Sequence, residues 1–533
     1  MTGSAGCRWC WVVLVSVVAL LPAAPAAGQA PKPSAPVIRD VVIDRAEVFD
    51  SLEAKRFWGF ALVNALHART RVYVIRRELL FAPGEPFDTA RTNESARNLR
   101  ALAIFRDVWI DTVTTDSGVT VRVRTTDGWT TELGFGLRTS GTQHVINASV
   151  QETNLLGTRT IATLGYQNDP DRTTVIVGFD TPRLIANRVG IGASYARLSD
   201  GHAAGATLNA PFYSLSSRQG GFLAWGLFDG RVLHYEAGNP FPKDSAHRQN
   251  AILRAEGAVA LDASSRGYFR LGFTGQVLRD DFGEQGSTVA LPRTITVAVG
   301  PYVAARRPHY IQVHNYEAMG RVEDVDLGLT VRTDVLLAPS AWGYERNGIG
   351  GRVAASVGTR VPAGFAQAGA SISGLRSSEG TDSSSVDASL LTVVQPNDSH
   401  LLVGRIAGGQ LNNPPFGAEY DLGLGYAVRA FPAHAFTGDR YYLVNGEYRY
   451  LVLPRFLGLL GLGVAGFVDH GGAWFDGMER RTGTDAGFGF RIGSIRSAGS
   501  VVGRLDFAYR FASDVEQGGW VISLGRGFGW QRF

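Results

Sequence analysis

Sulfur is nearly absent from this chain. Its 533 residues include two cysteines and three methionines, and both cysteines, Cys7 and Cys10, lie in an N-terminal segment built like a secretory leader. A mature protein cut after that segment has no thiol, which excludes a disulfide framework and a thiolate metal site. Long apolar runs are missing too. The longest one after the leader, Phe456 to Val468, has thirteen residues, four of them glycine. That is short of the about 20 apolar residues a membrane-spanning helix needs. The formal net charge of +4 is mild, and without a dense basic tract interleaved with aromatics nucleic acid is not an expected partner. No Gly-x-Ser-x-Gly elbow, Walker-type loop or His-Glu-x-x-His helix occurs, so neither enzymatic activity nor a cofactor is expected. Gly461-x-Gly463-x-x-Gly466 matches a dinucleotide fingerprint literally, but it lies in a period-two segment and opens no helix. His202, His309, His314, His434 and His470 are scattered rather than spaced as ligands. No metal is expected, and their ordinary place is the polar rim or lumen of a barrel.

Glycine is abundant, at 66 residues. Together with a mean hydropathy near zero, this suits many short alternating strands rather than a helical membrane protein. At the N-terminus, Trp11 to Leu21 form an apolar core broken only by Ser16, preceded by Arg8 and followed by small residues. This layout predicts a signal peptide over residues 1–30, with cleavage after Ala26, Gly28 or Ala30. Both cysteines precede the core, where a lipidation cysteine would follow it.

A Pro- and Ala-rich linker, residues 31–36, leads into a small domain expected over 37–126. Val37 to Ile43 reads as a strand. Trp58, Ala61, Leu62, Ala65 and Leu66 then fall at helical spacing, and the apolar face they form predicts a sheet as its partner. A loop at Pro83-Gly84-Glu85-Pro86 precedes a second helical stretch around Ala96, Leu99 and Leu102, followed by strands at Phe105 to Val113 and Val119 to Arg124.

From Thr130 onward the period is two for roughly 400 residues. Tyr442, Val444, Tyr448 and Tyr450 share one face opposite Asn445, Glu447 and Arg449. Leu505, Phe507, Tyr509 and Phe511 likewise oppose Arg504, Asp506 and Arg510. A closed barrel in lipid needs apolar residues outside and tolerates charge in its lumen, whereas a soluble sandwich cannot keep so many aromatics in water. A transmembrane β-barrel over 130–533 follows, with about twenty strand candidates and an even number expected.

Several segments resemble those of one family. Val74-Ile75-Arg76-Arg77-Glu78-Leu79-Leu80-Phe81, Pro83-Gly84-Glu85-Pro86-Phe87-Asp88, Arg97-Asn98-Leu99-Arg100-Ala101-Leu102 and Phe105-Arg106-Asp107-Val108 resemble a POTRA domain. This is the periplasmic β-α-α-β-β module that precedes the barrel in the BamA/TamA outer-membrane assembly superfamily, also called the bacterial surface antigen family. Asn154-Leu155-Leu156-Gly157 and Asp180-Thr181-Pro182-Arg183-Leu184 resemble early barrel landmarks. Val428-Arg429-Ala430-Phe431 resembles the tip of the long extracellular loop that folds into the family's barrel, and Phe467-Val468-Asp469-His470-Gly471 the Phe-x-Asp-x-Gly motif on a later strand.

The resemblance implies a barrel of sixteen strands in the outer membrane, one POTRA domain in the periplasm, and Arg429 as the loop's anchor. Asp469 and Glu447 face the lumen by parity and suit a bidentate guanidinium contact. Ala430 stands where the family has glycine, so its Cβ is expected to restrict a tight turn. Trp520, Ile522, Leu524 and Phe528 share one parity and resemble the aromatic-ended last strand that the barrel-assembly machinery recognises; Phe533 lies on the other. The implied function is insertion or translocation of client polypeptides, held by edge-strand addition to the POTRA domain. Gly134, Gly136, Gly525 and Gly527 could weaken the seam between first and last strands or only relieve barrel curvature. A passive pore and a secretion pore dedicated to one substrate are the alternatives.

Overall fold

A computed structural model describes residues 35–526, apart from 116–117, 141–142, 186–187, 284–286, 292, 379, 425–426 and 500–501. The expected signal peptide, most of the linker, Gly527, Phe528 and Phe533 lie outside the described residues.

The N-terminal domain runs β1 (Ile38–Ala46), α1 (Ser51–Arg56), α2 (Trp58–Leu66), α3 (Val72–Arg76), α4 (Thr89–Ala101), β2 (Phe105–Thr115) and β3 (Gly118–Asp127). Its sheet has the order β1-β3-β2, with β1 parallel to β3 and β2 antiparallel to it. The period of two in β3 decides what is buried: Val119, Val121 and Val123 point into the core with Ile75, Leu99, Ile104 and Phe105, while Arg122 and Arg124 stay outside. Asp50 caps α1 in a capping box with Glu53, and Asp88 caps α4.

One expectation fails here. The stripe Trp58, Ala61, Leu62, Ala65 and Leu66 meets no sheet; all five residues are exposed, and Trp58 keeps 73% and Leu66 70% of its surface open. The helix docks instead by its other edge. Phe60 stacks on Phe49 at 4.2 Å, and Asn64 exchanges hydrogen bonds with the Phe49 backbone at 3.1 and 2.8 Å.

Twenty strands then close into one antiparallel barrel, from Thr131–Ser140 to Gly519–Arg526. The pattern count therefore stands, and the sixteen strands implied by the resemblance do not. Asp244–Ser264, Gly267–Gly283, Thr294–Arg307 and Leu329–Ala338, in a stretch without family landmarks, are full members of the wall. The alternation sorts side chains as lipid requires. Val444, Tyr448 and Tyr450 are exposed on the outer face, whereas Asn445 and Glu447 are buried inside.

Two connections do not simply turn. Between the Thr294–Arg307 and Leu329–Ala338 strands a hairpin, Tyr310–His314 with Val322–Asp326, enters the mouth on the side of the N-terminal domain. Ile311, Tyr316 and Leu327 pack there on Phe365, Val393, Leu401 and Val403 of the inner wall. At the other end the long connection from Asn412 to Arg440 carries a small hairpin, Tyr420–Leu422 with Phe436–Gly438, and folds inward.

Candidate functional site

The inward connection puts Arg429 in the lumen with 2% of its surface exposed. Its Nε donates to Asp469 Oδ2 at 2.6 Å and its Nη2 to Asp469 Oδ1 at 3.2 Å, a two-pronged contact. Nη1 reaches Glu447 at 3.2 Å and Asp506 at 3.3 Å, and the guanidinium lies 3.8 Å from the Phe467 ring centre. The two motifs singled out in the sequence thus meet. Phe467, Asp469 and Gly471 share the inner face of Leu460–Trp474, and Glu447 comes from the adjacent strand Arg440–Phe456.

Sequence reasoning did not assign the rest of the cluster. Asp506 also takes Arg491 at 2.6 Å and Arg504 at 2.8 Å, while Glu447 takes Arg449 at 2.6 Å. Asn445 Nδ2 donates to Asp469 at 2.8 Å and to the Ala427 carbonyl at 3.0 Å. The Ala430 N–H donates to Asp485 at 3.1 Å, and Arg510 Nη1 donates to the Ala430 carbonyl at 3.0 Å. Inward parity had already marked Arg504, Asp506, Arg510 and Asn445 as lumen residues. Asp485 carried no motif, because its role is to accept a backbone N–H.

Ala430 corrects a further expectation. The left-handed backbone falls on Ala427, with φ 63°, rather than on Ala430. The Ala430 methyl fits among Phe467, Ala508 and Val521. Val428 and Phe431 are fully buried, Phe431 with its ring centre 4.9 Å from that of Phe436. Gly483 makes room for them, since a Cβ there would sit 2.3 Å from the Phe431 ring.

A second cluster holds the loop nearer the rim away from the N-terminal domain. His434 Nδ1 donates to Asp421 at 2.8 Å and Nε2 to Asp171 at 3.0 Å, and the ring stacks on Tyr235 with ring centres 3.5 Å apart. Burial pulls its pKa down, but the hydrogen bonds to Asp171 and Asp421 outweigh that and raise it to about 9. No group of three or more histidine, cysteine, aspartate or glutamate residues able to hold a metal occurs among the described residues.

The remaining landmarks meet at the junction of domain and barrel. Arg183 Nη1 donates to the Arg77 carbonyl at 2.6 Å, and its Nη2 donates to Glu78 at 3.0 Å. The Arg71 N–H donates to the Gly157 carbonyl at 2.9 Å, and Asn154 donates to Thr70 at 2.9 Å. Gly157 has φ +72°, and a Cβ there would lie 2.3 Å from the Arg69 carbonyl, so glycine permits this close approach.

Among the described residues, which end at Arg526, the last strand meets the first at Ser523 with Arg138 and Leu524 with Leu137, and Arg526 also donates to Glu132 across this seam at 3.0 Å. Trp520, Ile522 and Leu524 are exposed on the outer face of that last strand. Gly134 and Gly136 leave room for lumen side chains: a Cβ would sit 2.3 Å from Ser149 Oγ at the first and 2.6 Å from Asn147 at the second.

No family model matches the chain, and no curated protein does. Among solved structures, CdiB from Escherichia coli aligns over 96% of this chain and 93% of its own, at 11% identity and a TM-score of 0.45. BamA from Haemophilus ducreyi lacking POTRA domains 1–3 aligns over 92% and 85%, at 13% identity and 0.38. The FrpB iron transporter from Neisseria meningitidis aligns over 91% of both, at 7% identity and 0.41. Likeness at this level extends across barrels of different kinds and selects none of them.

Proposed function

We propose that this chain is an outer-membrane protein of BamA/TamA type that assists insertion or translocation of polypeptides, with its N-terminal domain a POTRA module in the periplasm. The observation that carries this reading is the Arg429 loop. Two sequence motifs 40 residues apart, each resembling a family landmark, form a buried bidentate contact through Arg429 and Asp469. In this reading the wall would part at the seam between the last strand and the first, where Gly134 and Gly136 offer no side chain to pack. The domain sheet leaves β2 as an edge strand to which an extended client segment can add. The partners are thus the lipid bilayer, client polypeptides, and the barrel-assembly machinery for its own insertion; the protein is not an enzyme and uses no cofactor.

Depletion in the native host with quantitative proteomics of the outer membrane tests this. Broad loss of other barrels is expected. Loss of one exported protein would make it a dedicated secretion pore, and an unchanged proteome would leave a passive pore or structural barrel.

A further inference from the structure

The stripe on α2 has no apolar partner in the described chain. Phe57, Trp58, Ala61, Leu62, Ala65 and Leu66 are all exposed, while the domain is met by the opposite edge of the helix. From Phe57 to Leu66 there is no charged residue; Lys55 and Arg56 precede the run, and Arg69 and Arg71 follow it. An uncharged apolar face with cationic flanks suits a lipid interface, with the face among acyl chains and the bases at phosphates.

Both ends of this segment are fixed to the barrel's periplasmic rim. Before the helix, Glu53 pairs with Arg496 at 2.5 Å, and Arg496 Nε also donates to the Gly458 carbonyl at 2.9 Å, beside the exposed Leu457. After it, Arg71 Nε donates to the carbonyl of Leu156, itself exposed. In the barrel order these two turns lie on either side of the seam between the last strand and the first, so the segment carrying the helix is tethered to the rim on both sides of it, next to the exposed wall residues Leu457 and Leu156.

We propose that α2 is an interfacial anchor that lays Trp58, Leu62 and Leu66 into the periplasmic leaflet, with Lys55, Arg56 and Arg71 at lipid phosphates. This rests on the chain being a membrane barrel, and the experiment separates the two claims. Because the chain beyond the leader has no cysteine, single nitroxide labels can be placed on the full-length mature protein at Leu62→Cys, Leu66→Cys, Phe273→Cys on the outer barrel wall and Thr114→Cys on the exposed end of β2. In nanodiscs of phosphatidylethanolamine and phosphatidylglycerol, power saturation compares collisions with oxygen, which enriches in acyl chains, and with a water-soluble nickel chelate.

Oxygen should dominate at Leu62, Leu66 and Phe273, and the chelate at Thr114. Exchange into phosphatidylcholine, a zwitterion of zero net charge, should lower the oxygen preference at Leu62 and Leu66 alone. Chelate dominance at Leu62 and Leu66 with oxygen at Phe273 overturns the anchor and leaves the barrel in lipid; chelate dominance at Phe273 overturns the membrane reading itself. Spin–spin broadening between Leu62 labels would show that a second copy covers the face, which also overturns the anchor.

Discussion

Arg429 concentrates more on one side chain than any other lumen residue. Asp469 has no other cation among the ion pairs described, so truncating Arg429 leaves a fully buried carboxylate with Asn445 and the Asp485 carboxyl as neighbours and no guanidinium. Breaking such a buried pair costs about 3–5 kcal/mol. Arg429→Ala should therefore lower the temperature at which the barrel unfolds in heat-modifiability gels, and Arg429→Lys should lower it less, because an ammonium keeps the charge but not the fork. Equal stability of the alanine variant and the wild type would remove the loop lock. His434 makes a pH-dependent contribution in the same loop. Its folded pKa of about 9 lies above the about 6.5 of an unfolded histidine. The stabilisation is complete below about pH 6.5 and disappears as pH rises through about 9. Proteolysis of the loop should accelerate over that window, and His434→Asn should be cut at one rate across it; a pH-independent wild type would refute the assignment.

At the scale of elements, strands were legible because period two repeats for hundreds of residues, and the count of twenty followed from the same signal. The resemblance implied four strands too few because its landmarks fall at 154–184 and 428–471 and leave the wall between them uncounted. The α2 stripe was read correctly as a face and wrongly as a core face, since helical spacing reports that a side is apolar, not what covers it. The lumen hairpin Tyr310–Asp326 was invisible: its residues alternate as wall strands do, and only the three-dimensional fold takes them out of the wall. The seam yields the next prediction. Arg138 and Ser523 face each other across it, so Arg138→Cys with Ser523→Cys should form a disulfide on mild oxidation. Under the proposed function the locked barrel should fail to support the outer-membrane proteome, and reduction should restore it. Undiminished support with the crosslink complete would show that the seam stays shut during work.

Across the whole molecule the lumen is obstructed from both ends, and the two obstructions are tied to different parts. The inward loop rests on Arg429, whereas the hairpin at the domain side is held by the N-terminal domain through Arg100 to Asp324 at 2.6 Å and by the wall through Arg449 to the Tyr316 carbonyl at 3.1 Å. Its Met319 reaches the far side, where a Cβ on Gly461 would sit 2.8 Å from the sulfur. Releasing one obstruction should leave the other in series, so Arg429→Ala alone should raise conductance in planar bilayers only slightly. Arg307 and Leu329 are directly paired in the ladder, so residues 308–328 can be replaced by an Asn-Gly turn without disturbing the wall. That replacement alone should also conduct weakly. Combined with Arg429→Ala it should open a steady conductance far above the sum of the two, because resistances in series are limited by whichever plug remains. A large conductance from Arg429→Ala alone would mean that the hairpin does not seal the mouth, and the domain's grip on Asp324 would then serve only to orient the domain beneath the barrel.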